Sequence, residues 1–357
     1  MKQITNLEYG SLIWFIIRAS YVGLTINNLI IMSRQDAWIC GVLGMVLGLI
    51  PLAIFIYIRK TNINVLDLNK KIFGKAGTLF NFIIAIGAFC LILILFLSLT
   101  NFVNSQFLFK TNYFYICLCF IIPIFYALYK GINAITKTSL LLFYLVMISV
   151  LLITFGLFKN VSLDNVKPFF ENNFSSLMQG SLFLVAYNIL PLFFLLVIPK
   201  DKITNYKARN SIVFYLLGMF SLINALFLVI GIFGSDLALL YDYPEFHILK
   251  KVKIGDFADR LEDILSLEWI IALFMLIVIG LYFISQTFKK TFNLKEKTVQ
   301  KFNAFVCLFV FGISQLSLKL NKALTIVLED NLIYILYLCF LFIPFITFLG
   351  CLKKLKS

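Results

Sequence analysis

The sequence predicts an all-α integral membrane protein, with ten transmembrane helices in a five-plus-five inverted repeat whose helices 1 and 6 are broken. Three observations carry this. Hydrophobic residues make up 61% of the 357 and charged residues only 13%, with a mean hydropathy of +0.97. A soluble domain is roughly 45–50% apolar and about 25% charged, so the polar surface here cannot cover a water-soluble globule. That excludes a soluble enzyme, a nucleic-acid-binding domain and a disordered chain. The second observation is ten apolar runs of membrane-spanning length, about 20 residues each. The third is a pair of helix-breaking signals at corresponding places in the two halves.

The runs are 9–32, 37–58, 79–103, 113–129, 138–158, 177–198, 211–234, 269–287, 302–318 and 331–351. Each closes its own backbone hydrogen bonds, as hydrocarbon requires. Arg18 is the only charged residue inside any of them. The chain reads as one membrane domain, 1–357, with a first repeat over 9–158, a second over 177–351 and a long outer connection over 235–268. Ten spans place both termini on one side. The segments on that side carry 20 Lys and Arg against 10 on the other, so the termini are expected to be cytoplasmic. No cleavable signal peptide is evident.

Span 1 reads Trp14-Phe15-Ile16-Ile17-Arg18-Ala19-Ser20-Tyr21-Val22-Gly23-Leu24. A charge at mid-span costs roughly 2.5–3.5 kcal/mol on insertion scales and rarely faces lipid. Ser20 and Gly23 allow the helix to break, and the amides of the second half-helix would then suit a carboxylate. The other reading is an unbroken helix in which Arg18 pairs with a neighbour and Gly23 only allows close packing. Span 2 opens on Gln35-Asp36-Ala37-Trp38, a helix N-cap followed by an interfacial anchor. Span 6 contains Tyr187-Asn188-Ile189-Leu190-Pro191. Pro191 lacks an amide, and paired interruptions of the first helix in each half point to a transporter-type site; an ordinary proline kink is the alternative.

Elsewhere, Ser98, Thr100, Asn101, Asn224, Ser285, Gln286 and Gln315 read as interhelical hydrogen-bonding groups before anything else. Gly280 with Phe283 in span 8 could leave a gap beside an aromatic wall. The 7–8 connection holds eight of the 17 acids, and its stretch 256–265 has the spacing of an amphipathic helix. The seven cysteines lie in or at the edge of spans without metal-ligand spacing. His247, the one histidine, reads as a solvated loop residue. No nucleotide loop, paired intramembrane carboxylates or nucleophile motif is present, so neither catalysis, nor a cofactor, nor a metal site is expected.

Gln35-Asp36-Ala37-Trp38 resembles the opening of span 2 in the B subunits of spore germinant receptors, the endospore germination permeases. So does the run Tyr243-Pro244, Lys253-Ile254-Gly255-Asp256-Phe257, Arg260-Leu261-Glu262, Trp269. The resemblance covers essentially the whole chain. It implies the fold of the amino acid–polyamine–organocation superfamily, residence in the inner spore membrane, and work with an A subunit and a C lipoprotein. It further implies a nutrient pocket, often for amino acids, between spans 1, 3, 6 and 8. Carried onto this sequence, that pocket falls on Ser20, Tyr21 and Gly23, Ser98, Tyr187 and Asn188, and Gly280 and Phe283. Arg18, placed in the same pocket by its position, matches no motif of the resemblance. It could favour an anionic group or be structural. A stand-alone secondary transporter for amino acids or polyamines is the alternative function. The lack of an acid within any span argues against an intramembrane carboxylate relay.

Overall fold

A computed structural model describes residues 3–251, 261–319 and 331–354, leaving aside the side chains of Val22, 261–265, 318–319 and 354. Of the amphipathic stretch 256–265, residues 256–260 therefore lie outside the described residues, and the backbone of 261–265 is helical. The rest is helical and delivers the ten crossings. The first stretch, Asn6–Lys60, is 55 residues of nearly continuous helix. At about 1.5 Å per residue it would reach roughly 80 Å, more than twice a hydrocarbon core of about 30 Å. It folds back at Arg34, whose φ is 45°, into two crossings. These are α1 (Asn6–Ala19) with α2 (Ile26–Ser33), and α3 (Ala37–Leu47) with α4 (Leu49–Lys60).

After a short α5 (Val65–Phe73) come three uninterrupted crossings: α6 (Lys75–Gln106), α7 (Tyr113–Lys130) and α8 (Ile132–Phe158). Span 6 starts as α9 (Phe174–Leu184), passes through a π turn, Val185–Ile189, and continues as a 3₁₀ helix, Leu190–Val197. Then follow α10 (Ala208–Ala238), a short α11 (Pro244–Leu249), α12 (Leu261–Phe292) and α13 (Glu296–Lys319). The last crossing, 331–354, contains a π turn at Leu338–Phe342 and ends in α14 (Ile343–Lys354). Span 1 sits centrally, with α1 packed against α8, α10 and α12, while α12 packs most extensively on α6.

Hydrogen bonds sort the connections onto two faces. The N-terminal segment lies beside the 6–7 connection through Ile4 and Lys202, and Lys290 of the 8–9 connection pairs with Asp67 of α5. The C-terminal α14 packs on α4 and α5, so both termini share this face. On the opposite face Arg34 meets Asp236, and Asn160 donates to the carbonyl of Lys251. Asp36 departs from the expected cap. It makes no capping bond to α3 and instead accepts from the amides of Phe170 and Asn172 at 2.9 and 3.1 Å, tying the 5–6 connection to the first turn of the bundle. The seven cysteines are free thiols. His247 stacks on Tyr241 with ring centroids 4.2 Å apart, on α11 rather than in an open loop.

Candidate functional site

The break in span 1 is built by Ser20 and Gly23. Helical geometry ends at Ala19, and a π turn over Tyr21–Thr25 precedes α2. Gly23 has φ +62°, a conformation a side chain strongly disfavours. A Cβ there would also lie 2.5 Å from the Tyr243 ring. Thr25 N–H closes the turn on the carbonyl of Ser20 at 3.1 Å. The Ser20 hydroxyl donates to the Tyr187 carbonyl at 3.0 Å, which joins this break to the one in span 6. The Gly23 amide, freed from the helical ladder, donates to Oε1 of Glu245 at 2.6 Å. Glu245 is carried on α11 and is buried. Burial pushes its carboxyl up to about 7, with the Gly23 amide acting in the opposite direction.

Arg18 faces inward, onto an acid that hydropathy had placed outside the spans. Its Nη2 lies 2.5 Å from Oε1 of Glu268. The Tyr21 hydroxyl accepts from Arg18 at 2.9 Å and donates to the same carboxylate oxygen at 2.6 Å. The guanidinium also rests 4.4 Å from the Tyr21 ring centroid. The expectation of acid-free spans is thereby corrected. The helix of span 8 begins well before position 269, so Glu268 lies within it and is buried. Arg18 Nε and Nη1, Glu268 Oε2 and Glu245 Oε2 are buried without hydrogen-bond partners among the described residues. The cavity beside them is about 20 Å³, about the volume one water needs. An amino acid can enter only if side chains move.

Span 6 is interrupted differently. Asn188 donates to the carbonyl of Ile17 at 2.7 Å and accepts from the Thr25 hydroxyl at 2.8 Å. Both ends of its amide thus brace the two halves of span 1. Beyond it, Pro191 supplies no amide to the α-helical ladder, and the chain tightens into 3₁₀ geometry. The carbonyls at the end of that segment are taken by buried side chains. Arg59 donates to the carbonyls of Leu195, at 2.7 Å, and Ile198, and Asn64 donates to that of Val197.

A model of the family described as spore germination protein matches residues 8–323. The chain belongs to that family. Among solved structures it is similar to two variants of a manganese transporter from Eremococcus coleocola, at 14% and 15% identity. Each alignment covers 96% of this chain and 78% of the transporter, with a TM-score of 0.59. At such identity the likeness shows the fold alone. No curated protein sequence matches the chain. The family is thus one of spore germination proteins, and the fold is one shared with a membrane transporter.

In this spore germination protein the structure gathers Arg18, Ser20, Tyr21, Gly23, Tyr187 and Asn188 at the two breaks. The other three expected residues lie apart from the polar cluster. Ser98 is half-buried on α6 and does not line the cavity beside Arg18; one turn further on, Phe102 packs against Trp269 and Tyr243. Gly280 abuts Ile92 and Phe194, and the Phe283 ring leans on Phe194. Glu245, Glu268 and Tyr243 were missed as site residues. A mid-span arginine calls for a buried partner, and Glu268, one residue before the apolar run of span 8, is one of four acids that directly adjoin a span, with Glu8, Asp36 and Asp330. A wider cleft of about 550 Å³ opens between α2, α9 and the last crossing, lined by Asn28, Gln179, Tyr334 and Tyr337, and reaches the Tyr187 ring.

Proposed function

We propose that this chain is the nutrient-sensing membrane subunit of a spore germinant receptor, binding an amino acid at the break of span 1. Signalling runs to an A subunit and a C lipoprotein. The observation that carries the reading is the Gly23 amide already holding a carboxylate, that of Glu245, at 2.6 Å. The start of a half-helix favours a negative group, and here the protein supplies its own. A nutrient carboxylate replaces Glu245 on that amide, while its ammonium meets the partnerless Oε2 of Glu268. The cleft ending on Tyr187 is the access route. Displacing Glu245 releases α11 and with it the 7–8 connection. Because ligand acts only by favouring one conformation over another, the movement of this connection is the signal. The two repeats run over 9–158 and 177–351, the termini are cytoplasmic, and the membrane is the inner membrane of the spore.

Spores lacking the gene, complemented with variants, test this. Gly23→Leu should accumulate normally in the spore membrane and abolish germination by the cognate amino acid, while non-nutrient triggers still act. Tyr187→Ala should shift the response to higher nutrient concentration. Unchanged sensitivity in both variants, with normal protein levels by immunoblot, places the pocket elsewhere. For orientation, single cysteines introduced between positions 239 and 251 should be labelled from outside intact cells and those between 293 and 301 should not; the reverse pattern overturns the topology.

Secondary transport of an amino acid or polyamine is the second reading, and the buried Glu268 within span 8 favours it, since intramembrane acids mark substrate and ion pathways. Uptake of radiolabelled amino acids into vesicles containing the chain alone decides between them.

A further inference from the structure

On the face that carries the termini, a second cavity of about 250 Å³ lies between the α7–α8 junction, the 6–7 connection, the end of α12 and the start of α13. Its chemistry is opposite to that of the outer site. Lys130, Lys202 and Lys289 line it. The one acid in its wall, Glu296, is paired with Lys289, which leaves Lys130 and Lys202 without a carboxylate partner among the described ion pairs.

Two further features suit an anion there. Gly131, with φ +78°, sharply separates α7 from α8, and no side chain caps α8. Gly131 and Ile132 line the cavity, so the first amides of a 27-residue helix start at its wall. An uncapped helix start of this kind attracts oxyanions through its amides and dipole. Ser285 is also in the wall. It is 3% exposed, and its hydroxyl has no hydrogen-bond partner among the described residues, an unusual condition for a buried polar atom.

We propose that this cavity binds a phosphate group, through Lys130, Lys202, the start of α8 and Ser285. The phosphate is either that of an anionic lipid headgroup at the membrane surface or a free phosphate. Basic pockets between helices on the cytoplasmic side are suited to lipid phosphates. The site lies outside the nutrient-binding break and does not depend on it.

The test uses the full chain, delipidated in detergent. Retention of phosphatidylglycerol against phosphatidylcholine is followed by native mass spectrometry, and thermal unfolding is followed with and without inorganic phosphate. Wild type should retain phosphatidylglycerol selectively. Each lysine lost near an anionic group should weaken that retention about fivefold, so Lys130→Gln with Lys202→Gln should weaken it about thirtyfold. Ser285→Val leaves the charge unchanged and should weaken retention as well, which a merely electrostatic surface effect would not do. Lys159→Gln, on the opposite face, should behave as wild type. Stabilisation by inorganic phosphate without lipid selectivity, lost in the same variants, assigns the site to free phosphate. Equal retention of both lipids together with no response to phosphate overturns the proposal. So does a Ser285→Val protein and a double-lysine variant that both bind as wild type does.

Discussion

The two broken helices share a position in the bundle and differ in what holds them. In span 6 several side chains share the freed groups: Arg59 at the end of α4 and Asn64 before α5 take the carbonyls at the end of the 3₁₀ segment, and Asn188 is used at both ends. In span 1 the freed amide of Gly23 is held by Glu245, a side chain delivered from outside the spans on a six-residue helix. One break is a fixed joint and the other is closed by a group that can leave. The difference teaches where a ligand can act. It competes for Gly23, and span 6 serves as the frame against which that competition is read.

Three changes sharpen or break this comparison, in order of expected effect. Removing Glu268 alone, as Glu268→Gln, leaves Arg18 charged and buried and should destabilise by about 3–5 kcal/mol, measured by thermal unfolding of the solubilised protein. Replacing both partners by Met should recover most of that loss. A single variant as stable as wild type would mean that Arg18 finds another partner and that the pair is not what holds it inward.

Asn188→Ala removes two bonds that cross from span 6 to span 1. Leaving buried partners unsatisfied costs about 1–3 kcal/mol. The expected outcome is a lower unfolding temperature, with the nutrient concentration for half-response little changed among molecules that fold. A large shift in nutrient sensitivity at normal stability would make Asn188 a ligand contact and erase the contrast between the breaks.

The smallest effect is that of pH on Glu245. Its carboxyl is raised by burial from 4.5 to about 7 in the closed arrangement. A group raised on closing binds more protons when closed than when released, so the closed form is favoured fully below about 4.5 and loses that advantage as pH rises towards about 7. Labelling of a single cysteine placed on α11 should therefore quicken across this window and level off above it. Glu245→Gln should flatten the profile, and a wild-type profile that slopes the other way would show that the Gly23 bond outweighs burial.

The ten crossings were legible because hydrocarbon forces each to be long and apolar, and the structure extends several by a turn without moving them. The breaks were legible from Ser20, Gly23 and Pro191, where backbone rules act locally. The partners were not. Hydropathy ended span 8 at Trp269, yet the helix continues to Leu261, so the acid next to the boundary was counted with the loop. Nor does any local pattern announce that α11 dips inward far enough for Glu245 to reach Gly23. Asp36 shows the same limit: its residue type suits a cap, and long-range amides claimed it instead. Gly280 and Phe283 were carried over by resemblance, and the neighbours that occupy their surfaces, Ile92 and Phe194, come from other helices.

The 3₁₀ segment Leu190–Val197 has a mechanical consequence. Three residues per turn stack its side chains in three straight columns, Leu190 over Phe193 and Leu196, Pro191 over Phe194 and Val197, and Leu192 over Leu195. All eight are buried. Of the residues along its crossing 94% are buried, against 28% for α8, so this part of the chain is a rod enclosed in protein. At about 2.0 Å per residue its eight residues reach about 16 Å, where an α-helix would reach about 12 Å. A change of winding here would alter the length of this rod by about 4 Å, roughly three-quarters of a helical turn, and would draw Arg59 and the connection it grips along the membrane normal.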